Sequence, residues 1–186
     1  MKIEIKPYPL LHPTPIVLIG VMVNGIANFT TIGDVAVMGL NHPLVVISLN
    51  EKHHSTIGIE ALGEFSINIP TEKMLEKVDF CGIYSGSKID KEMLFELHMN
   101  ENIPYILECP ITLLCKVVNR NQIKQRVIYT AEVTKTIVDE EIYVEKKFKL
   151  ENIKPILYGL DNNYYSIGRT IGEGYKVGSH LINQKK

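Results

Sequence analysis

The chain has 186 residues, of which 45% are hydrophobic and 22% charged, and a formal net charge of −1. That balance fits one soluble domain with a real core; the 20 basic and 21 acidic residues form no basic stripe for nucleic acid, and no apolar run approaches the ~18 residues of a membrane span. The three cysteines cannot all pair within one chain and form no C-x-x-C, so a reducing, cytoplasmic setting is expected.

The start, Met1-Lys-Ile-Glu-Ile-Lys, alternates charge with isoleucine and lacks the apolar core of a signal peptide. Residues 15–23 are almost unbroken apolar sequence, too short for a helix and rich in Val and Ile, which predicts a strand. Asn24-Gly25 signals a tight turn, with residues 27–31 returning as the hairpin partner. Strands are expected over residues 34–40 and 44–49, broken at Asn41-His42-Pro43, and over residues 64–69, ended by Pro70. Thr71 can cap a helix carrying Met74, Leu75 and Val78 on one face, and Asp90 a second carrying Met93, Leu94 and Leu97. Between them, residues 81–87 read as a loop whose glycines allow close backbone approach.

The second half returns to sheet. Ile111, Leu113, Cys115 and Val117 alternate with Thr112, Leu114 and Lys116. Ile123, Val127, Tyr129, Ala131 and Val133 share parity opposite Lys124, Arg126, Thr130, Glu132 and Thr134, a long half-exposed strand antiparallel to its predecessor across Asn119-Arg120-Asn121. The Lys185-Lys186 end is expected to be mobile. Many strands with two or three short helices, in one domain over residues 1–186, favour an antiparallel barrel, closed or partly open, over a βαβ fold.

Motifs narrow the chemistry. There is no G-x-G-x-x-G, no phosphate-binding P-loop and no G-x-S-x-G. His53 and His54 are adjacent, so their side chains diverge, and the cysteines lack zinc-ligand spacing. Cys81 follows Phe80 and suits a packed core or pocket wall better than a nucleophile. Residues 43–56 run from an apolar strand through Ser48 and Asn50 to Lys52, two histidines, Ser55 and Thr56. Such a set reads either as a solvated strand-to-helix loop or as an anion site, in which helix-entry N–H groups, hydroxyls and a lysine hold a phosphate. Asn28-Phe29-Thr30-Thr31 likewise reads as ordinary β-branched strand or as the polar rim of a planar heterocycle.

Taken in order, these segments resemble a known family. Pro13-Thr-Pro-Ile-Val-Leu-Ile-Gly, Asn28-Phe-Thr-Thr and His42-Pro-Leu-Val-Val-Ile-Ser-Leu look like the flavin reductase-like, FMN-binding split-barrel family. Gly63-Glu-Phe-Ser-Ile-Asn-Ile-Pro and Asp79-Phe-Cys-Gly-Ile-Tyr-Ser-Gly, with Asp90-Lys91, are similar to its flavoredoxin-type branch, and Tyr165-Ser-Ile-Gly matches loosely near the C-terminus. The resemblance implies a mainly β fold, a six-stranded antiparallel split β-barrel, paired as a homodimer with FMN near the subunit interface. It places Asn28, Thr30 and Thr31 at the flavin ring edge and ribityl chain, and Ser48, Asn50, Lys52, His54 and Thr56 at the phosphate and ribityl. Cys81, Ser85 and Lys91 fall in the second ligand loop. Many relatives carry a tryptophan after the Thr-Thr pair, where this chain has Ile32-Gly33-Asp34 and no tryptophan anywhere.

The implied function is an FMN-dependent oxidoreductase with no obligatory protein acid or base. Reducing equivalents would come from a nicotinamide nucleotide or a small redox protein and pass to flavin, a disulfide or another acceptor. The alternative is an FMN-binding electron carrier without a nicotinamide site. FMN is expected rather than FAD because no second site for an adenosine half is evident, and Tyr164 and Tyr165 are the expected walls of the donor cleft.

Overall fold

Strand β1, Val17–Val23, is buried on both faces, which explains its unbroken apolar sequence. In the computed structural model, which describes residues 1–184, Val17, Ile19, Val21 and Val23 point into one core cluster. Leu18 points the other way, into a second cluster shared with Ile16. Asn24 and Gly25 follow with φ of 52° and 84°, and Val23 faces Ile26 across the turn. That is the two-residue, positive-φ connection that matches strand twist, and it returns the chain as β2, Ile26–Ile32.

The remaining elements follow in order: β3 Val35–Gly39, β4 Leu44–Asn50, α1 His54–Leu62, β5 Glu64–Ile69 and α2 Leu75–Ile83. A short hairpin of β6, Leu97–Asn100, and β7, Ile103–Ile106, precedes two long strands, β8 Ile111–Ile123 and β9 Arg126–Val138. Seven antiparallel strands form one sheet in the order β2-β1-β5-β8-β9-β4-β3. Ile32 of β2 and Ile47 of β4 lie toward opposite ends of that order yet share one core with Phe65, Cys115 and Tyr129, so the sheet curls into a split barrel. The mainly β, antiparallel architecture is the expected one. Its sheet holds seven strands rather than six because β3 pairs along the edge with β4. The second core lies outside β1 and β2, where Val78 and Cys81 of α2 cover Leu18 and Phe29.

Four local expectations change. The β8–β9 turn falls at Lys124-Gln125, with Ile123 opposite Arg126, and Asn119-Arg120-Asn121 belongs to the strand. An exposed polar strand has the composition of a turn; here Arg120 donates to Glu60 at 2.8 Å and Gln122 to Glu51 at 2.7 Å, which ties this stretch to neighbouring elements. No helix grows from Asp90, whose Oδ1 accepts the Glu92 N–H at 2.8 Å over the single 3-10 turn Glu92–Leu94. Leu97 instead pairs with Ile106 in the β6–β7 hairpin, so tertiary pairing overrides the local helix pattern. Cys81, Gly82 and Ile83 are the last turn of α2 rather than loop. Thr71 precedes a 3-10 turn without a side-chain cap. The Lys185-Lys186 expectation lies outside the described residues. Near the C-terminus, Leu157–Tyr158 pairs with both Thr14–Pro15 and Tyr164–Tyr165.

Candidate functional site

Strand β2, the entry to α1, and the end of α2 with the loop after it enclose a cleft of about 260 Å³. β2 contributes Asn28, Thr30 and Thr31. Thr31 Oγ1 donates to the Val78 carbonyl at 2.6 Å and so ties β2 to α2. Asn28 is 5% exposed and donates from Nδ2 to Ser55 Oγ at 2.7 Å, while its Oδ1 is buried with no hydrogen-bond partner. A buried acceptor left without a donor costs free energy, so this atom calls for a ligand N–H or O–H. Gly86 closes over it: a Cβ there would overlap Asn28 Oδ1 and approach His54 Cδ2 to 3.0 Å. Only a residue without a side chain lets the loop come so near.

The α1 entry supplies Lys52, His53, His54 and Ser55. Helix α1 starts without a side-chain cap and with no acidic residue in its first turn, which leaves the positive end of its dipole open toward the cleft. Burial, then Arg126 and Lys91, hold the His53 pKa below its ordinary value, and its buried Nδ1 has no partner. Lys91 is 2% exposed, and its Nζ donates to the Phe29 and Cys81 carbonyls at 2.9 Å each. An ammonium has three N–H groups, so one remains uncommitted. Burial lowers the Lys91 pKa, and among the described residues no carboxylate lines the cleft to offset its charge. Cations, an open helix end and an absence of acids make the cleft receptive to an anion.

Asn28, Thr30, Thr31 and Lys52 all line the cleft, as do His54, Cys81, Ser85 and Lys91. Ser48, Asn50 and Thr56 do not. Ser48 Oγ accepts from Arg126 Nε at 3.0 Å and faces a different cavity. Asn50 shapes the loop: its Oδ1 accepts the Lys52 N–H at 3.0 Å and its carbonyl accepts from Thr56 Oγ1 at 3.1 Å. The cleft also takes His53, Ser55, Gly82, Ile83, Tyr84 and Gly86, which the sequence does not assign as ligand contacts. Ser55 and Gly86 sit inside the motifs and were legible there. Arg126 was not, since it reaches the Ser48 carbonyl from 78 residues along the chain and Asp34 from 92.

Cys81 is a wall of this cleft. Burial pushes its thiol pKa up to about 11, so it stays protonated at neutral pH. A neighbouring cavity of about 360 Å³ shares Thr31, Gly82 and Ile83 with the cleft and includes Tyr164. Tyr165 turns away and bonds Asp161.

The sequence matches the flavin reductase like domain family over residues 10–167. The structure is similar to that of a flavoredoxin from Methanosarcina acetivorans, 32% identical with a TM-score of 0.94, over 97% of this chain and 99% of that one. It is also similar to the flavoredoxin of Desulfovibrio vulgaris (Miyazaki F), 22% identical with a TM-score of 0.87, over 96% of this chain and 100% of that one. An uncharacterized protein of Archaeoglobus fulgidus is 26% identical over 110 residues, which span 57% of this chain and 62% of that relative.

Proposed function

The chain belongs to the flavin reductase-like family, in its flavoredoxin branch, and from that premise we propose that it is an FMN-dependent oxidoreductase. In this reading it takes reducing equivalents from a nicotinamide nucleotide or small redox donor and passes them to flavin, a disulfide or another acceptor. The observation that carries it is the cleft lined by Lys52, Lys91 and the imidazoles of His53 and His54, beside the uncapped start of α1 and the orphaned Asn28 Oδ1. These residues fit FMN: its phosphate would answer the cations and the helix end, and an N–H on its ring edge would answer Asn28.

Bound FMN supplies the electron-transfer chemistry. The chain supplies the setting. Lys52 and His54 would hold the phosphate, and the open α1 N–H groups would add donors. Lys91, buried and hydrogen-bonded to two carbonyls, would in its ammonium form favour whichever ring state carries more negative charge. Thr31 ties β2 to α2, and Gly86 lets the loop after α2 lie close to Asn28 of β2, so these contacts set the width of the cleft. The free, buried cysteines suit a reducing cytoplasm.

The test is the visible spectrum of the purified protein, with released cofactor identified by mass. A flavin spectrum with FMN released is expected; protein that neither carries nor takes up FMN would end the proposal. Anaerobic mixing with NADH and NADPH then addresses the donor. Bleaching by either supports the oxidoreductase; bleaching only by reduced ferredoxin or a dithiol replaces it with the electron-carrier reading.

A further inference from the structure

The cavity beside the cleft carries the opposite charge. Ile16, Ile32 and Ile83 form its apolar walls, Tyr158 and Tyr164 its aromatic side, and Asp79 is the one charged side chain among its described lining residues. Tyr164 Oη donates to Asp79 Oδ1 at 2.8 Å, and the Tyr158 and Tyr164 rings lie 5.3 Å apart. That bond holds the half-buried carboxylate in one orientation, and its second oxygen has no hydrogen-bond partner among the described residues. Thr31, Gly82 and Ile83 border both spaces. The combined site therefore runs from a cationic end at Lys52 and Lys91 to an anionic end at Asp79.

We propose that this cavity is the subsite for a second ligand, a flat neutral or cationic ring bearing a hydrogen-bond donor, and that Asp79, held by Tyr164, excludes rings bearing a carboxylate. The apolar walls and tyrosine rings match a flat ring. The unpaired carboxylate oxygen accepts from an amide or hydroxyl on that ring. A carboxylate on the ligand would instead meet a like charge in a half-buried space, where water screens it poorly. The inference rests on the FMN reading in one respect, that the second ligand is the redox partner of the group at the cationic end.

Benzamide and benzoate, nearly isosteric and different in charge, are the probes. Their binding to FMN-loaded protein is compared by saturation-transfer NMR titration. Benzamide is expected to bind about tenfold more tightly, and Asp79→Asn to bring the two within about threefold. Asp79→Ser, a smaller neutral replacement, should do the same, whereas Tyr164→Phe, which keeps the carboxylate but frees it to turn, should weaken the preference without abolishing it. Equal binding of both probes to the parent, or an unchanged preference in both Asp79 variants, overturns the proposal. Repeating the titrations on FMN-free protein with excess inorganic phosphate at the cationic end separates the two claims. A preference there in a protein that cannot take up FMN sinks the cofactor reading alone, and FMN uptake without a preference sinks the subsite alone.

Discussion

Lys91 is a buried amine held by two carbonyl oxygens, in a cleft whose described lining residues include no acid. Around it, Lys52 and His54 are the more accessible basic side chains, and they are the two whose loss should be felt by a phosphate. Charge-assisted hydrogen bonds contribute about 1.5–3 kcal/mol each, with exposed Lys52 at the low end. The Lys52→Ala, His54→Ala double variant should therefore bind FMN far more weakly; full affinity by fluorescence titration would show that the phosphate sits elsewhere. His53 behaves differently because burial and two nearby cations lower its pKa below 6.5. A folded-state pKa below the unfolded value means that the unfolded chain takes up the proton first, so stability present above pH 6.5 is lost as pH falls through the lower folded value. Denaturant unfolding of the FMN-free protein across that window should show the decline, and His53→Gln should flatten it. Equal slopes in parent and variant would contradict this assignment.

At the scale of elements, the cleft depends on how closely α1 lies on β1. Gly58 makes that approach possible: a Cβ there would overlap the Met22 carbonyl and come within 2.7 Å of Val21 Cγ2 and 3.0 Å of Val23 Cγ2. Gly58→Ala should destabilise the fold by roughly 1–3 kcal/mol despite alanine's better helix propensity, because the helix must move off the sheet. A variant as stable as the parent in urea would mean that α1 shifts freely. Elements also show where a sequence can mislead. The Asn24-Gly25 turn is legible because few residues accept positive φ at both positions. The Lys124-Gln125 turn is not, since Lys124 takes a φ of 54° without a glycine and its polar neighbours are strand. Residues 90–97 carry a helical pattern that the pairing of Leu97 with Ile106 overrides.

For the whole molecule, the barrel leaves apolar surface uncovered. Leu10 and Leu11 are 63% and 86% exposed, and Val37 and Met38 on edge strand β3 are 67% and 59% exposed. Leu11 and Val35 also border a cavity that reaches Ser48 and Arg126, the pair that turns away from the cleft. A second copy of this chain is the proposed cover, which would bury the β3 edge. Sedimentation of the FMN-loaded protein at micromolar concentration should give a dimer, and Val37→Lys should shift it toward monomer. A monomeric parent would count against the homodimer.

The sequence by itself determined the strand pattern, the antiparallel barrel and the segments that build the cleft. Period-two burial, glycine turns and polar strand ends are local consequences of backbone geometry, and the motifs at residues 28–31, 48–56 and 81–91 carry their chemistry in their own side chains. Tertiary structure alone decided which of those side chains meet. Ser48 and Asn50 share a strand with the anion loop, yet one is taken by Arg126 and the other by the loop's own backbone. Lys91 enters the wall because the chain after α2 folds back under Phe29, and Asp79 meets Tyr164 across 85 residues. Contacts between distant segments depend on the curl of the sheet and the packing of both cores, and no local pattern encodes that distance.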